Sequence, residues 1–190
     1  ILHNERLNEM KYQSTRDVNA VKIDSALAIK QGLSNDGGLF VPESVPSLSK
    51  EDIVKLCPLS YPERAAEILS KYLTDYTYDE LLADCKAAYS ESSFPDGAAP
   101  VKNIHDNIYS LELWHGPTAA FKDMALQILP YLLTTSAKKT IDGKEIAILV
   151  ATSGDTGKAA LEGFKDVPNT KILVFYPSDG VSVMQKLQMV

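Results

Sequence analysis

The sequence predicts an α/β chain in which a mainly helical amino-terminal region is followed by part of an open parallel α/β sheet. Helix-start signals recur through the first half of the chain. Two short apolar runs, Glu145 to Ala151 and Lys171 to Tyr176, enclose a helical stretch. That is the pattern of a βαβ unit, with parallel strands and a right-handed crossover. Between the two regions lies the one linker-like segment, Ser92-Ser-Phe-Pro-Asp-Gly-Ala-Ala-Pro100, which divides the chain into 1–97 and 98–190.

Taken in order, Met10 to Arg16 reads as a short strand, and Asp24 as the cap of a helix from Ser25 to Lys30. Asn35-Asp-Gly-Gly38 is a turn ahead of Leu39-Phe-Val-Pro42. Ser60, with Pro62 just inside, opens a helix carrying Ala65, Ala66, Ile68, Leu69 and Leu73. Thr77 and Glu80 have capping-box spacing and open another, through Leu81, Leu82, Cys85 and Ala88. After the linker, Asn107 to Trp114 reads as a strand. A helix then carries Phe121, Ala125, Ile128 and Leu132 as one apolar stripe, with Thr118 as its N-cap and Pro130 kinking or ending it. Glu145 to Ala151 and Lys171 to Tyr176 are strands of the fully buried type, and Thr156 to Phe164 is the helix between them. Ser182 to Val190 begins a helix with no stop signal, so the chain is expected to end inside an element.

Composition narrows the function. At 190 residues the chain can bury one good core, or a small domain and part of another. A net charge of -6 without a Lys/Arg cluster argues against nucleic acid or an anionic membrane as the main partner. No apolar run approaches the roughly 20 residues of a membrane span. Residues 1–9 lack an apolar signal core, Met10 being a candidate start. Cys57 and Cys85 have no metal-like spacing and fit a reduced cytoplasmic chain, and no metal site is expected.

Chemistry concentrates in two motifs. The first is His115-Gly-Pro-Thr-Ala-Ala-Phe-Lys-Asp123, with Lys122 at its centre. A lysine in the first turn of a helix, beside an apolar stripe, opposes both the helix dipole and burial. Both disfavour the ammonium and are expected to lower its pKa, as suits an amine that attacks a carbonyl. The alternative is a lysine that snorkels to solvent and pairs with Asp123. The second motif, Thr152-Ser-Gly-Asp-Thr-Gly157, lies between the first parallel strand and its helix, where open α/β sheets bind ligands. Its glycines allow close approach, and its hydroxyls and free amides favour an anion. A capped turn without a ligand explains it equally well alone. It matches neither a P-loop nor a dinucleotide fingerprint. His115 reads equally well as a turn residue bonded to backbone, and Asp36 as a turn former.

In this order and spacing, the two motifs closely resemble the threonine synthase family, pyridoxal-phosphate (PLP) enzymes of the tryptophan-synthase-β-like fold. Tyr12-Gln-Ser-Thr-Arg16 and Ser34-Asn-Asp-Gly-Gly-Leu-Phe-Val-Pro42 also look like that family's amino-terminal region. The resemblance runs from about Met10 to the end. It implies that 1–97 is the amino-terminal domain and 98–190 the first part of the PLP-binding domain. It implies a γ-elimination and β-addition in which O-phospho-L-homoserine and water give L-threonine and phosphate.

Lys122 would hold PLP as a Schiff base and then act as the base. Ser153, Gly154, Asp155 and Thr156 would hold the substrate carboxylate and the ring edge bearing the phenolic oxygen. Asp155 is notable there, because a carboxylate cannot donate to a phenolate unless protonated or bridged by another donor. Thr118, Phe121 and Asp123 match the family motif and would shape the cavity, and Ser14, Thr15 and Arg16 are candidates for the substrate phosphate, although a surface ion pair explains Arg16 nearly as well. The family's cup for the PLP phosphate and its group facing the pyridine nitrogen lie further along than Val190, so these 190 residues alone are expected to be inactive. Alternatives are a related phospholyase yielding 2-oxobutyrate and a catalytically silent interaction fragment.

Overall fold

A computed structural model describes residues 9–19, 21–140, 145–152, 154–187 and 189. The chain forms two compact units. The first comprises 1–85 and 132–142, and the second 86–131 and 143–190.

In the first unit, β1 (Tyr12–Ser14) pairs antiparallel with β2 (Phe40–Pro42), Gln13 opposite Val41. Between them runs α1 (Ser25–Gln31). Asp24 is its N-cap residue but makes no side-chain cap bond, its carboxylate pairing instead with Lys11 Nζ at 2.5 Å. Asp36 does form the expected turn, accepting from Ser14 Oγ at 2.7 Å and Gly38 N at 2.8 Å. These bonds hold its carboxyl below the usual range.

The capping box expected at Thr77 is present, and the helix opened by Ser60 starts on a second one. Ser60 N donates to Glu63 Oε2 at 2.8 Å ahead of α3 (Tyr61–Leu69), and Thr77 N donates to Glu80 Oε2 at 2.7 Å ahead of α4 (Tyr78–Ala88). A helix the sequence reading passed over, α2 (Lys50–Leu56), starts on the same device with a shorter acid, Ser49 N donating to Asp52 Oδ2 at 3.0 Å. The core gathers Ala26, Ala66, Leu73, Tyr76, Leu81 and Cys85. Its polar groups are paired: Tyr76 donates to the Leu132 carbonyl at 3.0 Å, and Ser136 to that of Ala26.

In the second unit the expected strand over Asn107 to Trp114 is shorter, β4 (Ile108–Leu111). It pairs with β3 (Val101–His105), which had been left as loop. The hairpin turns at Asp106, whose φ of 47° is tolerated by aspartate, and Asn103 Nδ2 donates to the Asp106 carbonyl at 2.8 Å. The single helix expected after Thr118 is two. They are α5 (Asp123–Leu126) and α6 (Leu129–Thr140), with Pro130 in the first turn of α6, where its missing N–H costs nothing. The stripe is broken accordingly, Ile128 and Leu132 being buried and Phe121 and Ala125 exposed.

The βαβ unit is present as β5 (Ile146–Ala151), α7 (Asp155–Phe164) and β6 (Thr170–Phe175), the strands parallel with Leu149 opposite Leu173. These strands are not buried on both faces. They alternate half-buried and exposed along their length, because α7 packs on one face and no described element covers Leu149, Leu173 and Phe175 on the other. The chain then forms α8 (Val183–Leu187). Among the described residues no helix is long and apolar enough to cross a membrane.

The cysteines contrast sharply. Cys57 is exposed at the end of α2, whereas Cys85 is fully buried and its thiol is pushed up to about 12 by burial. Iodoacetamide at pH 8 on the native protein is expected to modify Cys57 and spare Cys85 until denaturant is added, as read by peptide mapping. Equal modification of both in the native state would contradict this packing.

Candidate active site

The Lys122 segment is built around a buried acid. Asp123, the first residue of α5, has no solvent exposure, and both its carboxylate oxygens accept from Thr118. Oδ2 takes the backbone N–H at 2.8 Å and Oδ1 the hydroxyl at 2.7 Å. Thr118 is therefore not the helix N-cap. Lys122 occupies that position, its carbonyl accepting from Ala125 N at 3.1 Å and Leu126 N at 2.9 Å. The four residues between Thr118 and Asp123 form a tight loop with Ala119 in the left-handed region at φ 54°. Gly116 lies so close beneath that a Cβ there would stand 2.5 Å from Asp123 Cβ.

This clasp removes the pairing of Lys122 with Asp123. Asp123 is spent on Thr118, and among the described residues no carboxylate pairs with Lys122. The half-buried lysine instead lays its Nζ over the Phe121 ring, 4.3 Å from the centroid, and Phe121 is itself exposed. Tyr89 braces α5 from outside, donating to the Met124 carbonyl at 2.9 Å. His115 is bonded to side chains and not to backbone: its Nε2 lies 2.8 Å from Glu112 Oε2 and its Nδ1 3.5 Å from Asp96 Oδ2. Its ring stacks on Trp114.

The second motif also sits at a helix start. Asp155 opens α7 with Gly154 as its N-cap, and Asp155 Oδ1 lies 3.3 Å from Lys158 Nζ. Thr156 is exposed, while Gly154 is buried. Ser153 lies outside the described residues. α5 and α7 pack directly on each other, with the Leu126 carbonyl filling the space a Cβ on Gly163 would need. The two motifs thus belong to one packed helix pair. Arg16 belongs to the first unit, where it is exposed and its guanidinium would lie 3.1 Å from a Cβ on Gly37.

Sequence reasoning missed three side chains of this region. Lys158, partner of Asp155, was visible only as an (i, i+3) pair. The Thr118–Asp123 clasp spans a loop that helical periodicity hides. Gln185, whose amide faces Gly154, signalled itself only by its capping-box spacing from Ser182.

Comparison with known proteins bears on the whole region. Residues 11–89 match the family described as threonine synthase N terminus. Threonine synthase of Pseudomonas aeruginosa is 36% identical over 184 residues, covering 95% of this chain and 38% of that protein. Threonine synthase-like 1 of mouse is 37% identical over 171 residues, 86% of this chain and 22% of its own length. Among solved structures, the PLP-bound threonine synthase of Brucella melitensis superposes with a TM-score of 0.85 at 36% identity, over 95% of this chain and 38% of the other.

The clasp makes a stability prediction. Thr118→Val keeps the shape but removes the hydroxyl donor from a buried carboxylate, an expected cost of about 1.5–3 kcal/mol. Thr118→Ser keeps the donor and loses one methyl group, about 1 kcal/mol. Urea unfolding of the full-length protein measures both, and equal losses would show that the hydroxyl bond contributes nothing.

Proposed function

We propose, from the match of residues 11–89 to the family described as threonine synthase N terminus and the likeness of 95% of the chain to part of threonine synthases, that the full-length protein is a PLP-dependent threonine synthase. Its reaction is a lyase step on O-phospho-L-homoserine, with water, giving L-threonine and phosphate. The residue ranges 1–97 and 98–190 are proposed as the amino-terminal domain and the first part of the PLP-binding domain, and the cytoplasm as the compartment.

One observation supports this reading most: Lys122 stands at the start of α5 without a carboxylate partner among the described residues, because the neighbouring acid is taken by Thr118. An amine locked in an ion pair would be a poor partner for an aldehyde, since only the neutral form is a nucleophile. The residues present therefore fit PLP. Lys122 would hold it, with Phe121 and Asp155 beside it. When bound, PLP supplies a conjugated ring that takes up the electron pair left as a proton departs from the amino acid.

The chain's own residues do the rest. Lys122 Nζ carries protons to and from the substrate carbons. Ser153, Gly154 and Thr156 are proposed to hold the substrate carboxylate, and Thr118 to shape the cavity through its bonds to Asp123. The Arg16 guanidinium is proposed for phosphate on its chemistry alone, a planar fork matched to a phosphate's oxygens.

A related phospholyase acting on the same substrate would give a second product, 2-oxobutyrate. Incubating full-length protein with O-phospho-L-homoserine and assaying threonine, 2-oxobutyrate and phosphate separates the two, with threonine expected. Release of none of the three would remove both readings. Lys122→Ala is expected to lower kcat by roughly a thousandfold or more, because covalent and proton-transfer roles vanish together. Retention of more than about a tenth of the activity would return the chain to the reading of a silent interaction module.

A further inference from the structure

We propose that Gln185 is a specificity-determining residue that donates its side-chain N–H to the carboxylate of the amino-acid substrate beside Gly154, a proposal that rests on the function proposed above. The orientation of its amide is set by its neighbours. Ser182 N donates to Gln185 Oε1 at 3.2 Å, and Gln185 N donates to Ser182 Oγ at 3.2 Å. The oxygen end of the amide is thereby committed to the start of α8, which leaves the NH2 end to face outward from it.

That end is turned onto Gly154. A Cβ at Gly154 would stand 2.6 Å from Gln185 Nε2, so the amide lies directly over the glycine. Among the described residues no acceptor bonds Nε2.

The amide adds a donor beside those at the start of α7. Gly154 spends its own N–H on Thr152 Oγ1 at 3.2 Å. The side chain of Asp155 next to it faces Lys158, Oδ1 lying 3.3 Å from Nζ, and presents oxygen to its surroundings. Gly154 can therefore admit an anionic oxygen by having no side chain, while the N–H bonds to that oxygen come from its neighbours. The half-buried Gln185 amide supplies a further N–H without adding a charge that would compete with Lys158 for Asp155. A hydrogen bond to a charged acceptor discriminates strongly against a ligand that lacks it.

The test uses PLP-loaded full-length protein and a pair of non-reacting ligands. One is the phosphonate isostere of O-phospho-L-homoserine, in which a methylene replaces the bridging ester oxygen so that phosphate cannot leave. The other is the same phosphonate without its carboxylate. Dissociation constants are measured calorimetrically for wild type, Gln185→Glu and Gln185→Leu. Gln185→Glu keeps an oxygen for Ser182 N and replaces the donor by a carboxylate oxygen, whereas Gln185→Leu deletes both ends of the amide.

Wild type is expected to prefer the carboxylated ligand. Both variants are expected to lose about tenfold or more in affinity for it, Gln185→Glu the most, with less than about a threefold change for the decarboxylated ligand. Parallel losses for both ligands, or none, would overturn the proposal and leave Gln185 a helix cap. Absence of any preference in wild type would instead remove the function on which the proposal rests, and the proposal with it.

Discussion

A carboxylate with no access to water must find its donors inside the protein, and Asp123 finds both on one residue, Thr118. Much of the local geometry follows from this. Two bonds to a residue only five positions earlier require a loop too tight for helix, so Ala119 takes a positive φ and α5 cannot begin before Asp123. The carboxylate also occupies the space above Gly116, which excludes any side chain there. Lys122 is then the residue at which loop becomes helix, with its neighbouring acid turned inward and its own amine turned to the Phe121 ring. A pairing that sequence proximity suggests, Lys122 with Asp123, is thus prevented by a stronger local requirement.

The same comparison explains which elements were legible. Helix starts at Ser60 and Thr77 are local devices, complete within four residues, and the sequence marked both, one by Pro62 and one by capping-box spacing. The parallel strands were recognisable because apolar β-branched runs on either side of a helix have few other uses. Their burial was misjudged, since burial on both faces depends on a second layer that a strand's own residues do not encode. The break between α5 and α6 was misplaced for a related reason. Apolar spacing of three and four continues through Gln127 and Ile128, while the backbone resets so that Pro130 can stand in a first turn. β3 was hidden because its pairing with β4 is a relation between two segments, neither of which alternates cleanly.

For the candidate site, the motif residues were legible and their partners were not. Lys122, Phe121 and Asp155 stand out by type and spacing, and each sits at or beside a helix start as expected. Lys158 and Gln185 carry no such signal. Each matters through one contact, to Asp155 and to Gly154, that exists only once the chain has folded. His115 shows the opposite error, because a residue set aside as a turn former has its ring held between two carboxylates and stacked on an indole.

The link between packing and chemistry runs through α5 and α7. α5 has only four residues, too short to be stable by its own hydrogen bonds, so its position is imposed from outside. Tyr89 holds the Met124 carbonyl on one side, the clasp holds Asp123 at its start, and α7 comes close enough at Gly163 for backbone to touch backbone. An added methyl group at Gly163 would meet the Leu126 carbonyl and push the two helices apart. Since Lys122 caps one of these helices and Gly154 the other, that displacement would reach both motifs at once. Close helix contact at one small residue therefore sets the spacing of the two motifs, although Gly163 carries no chemistry of its own.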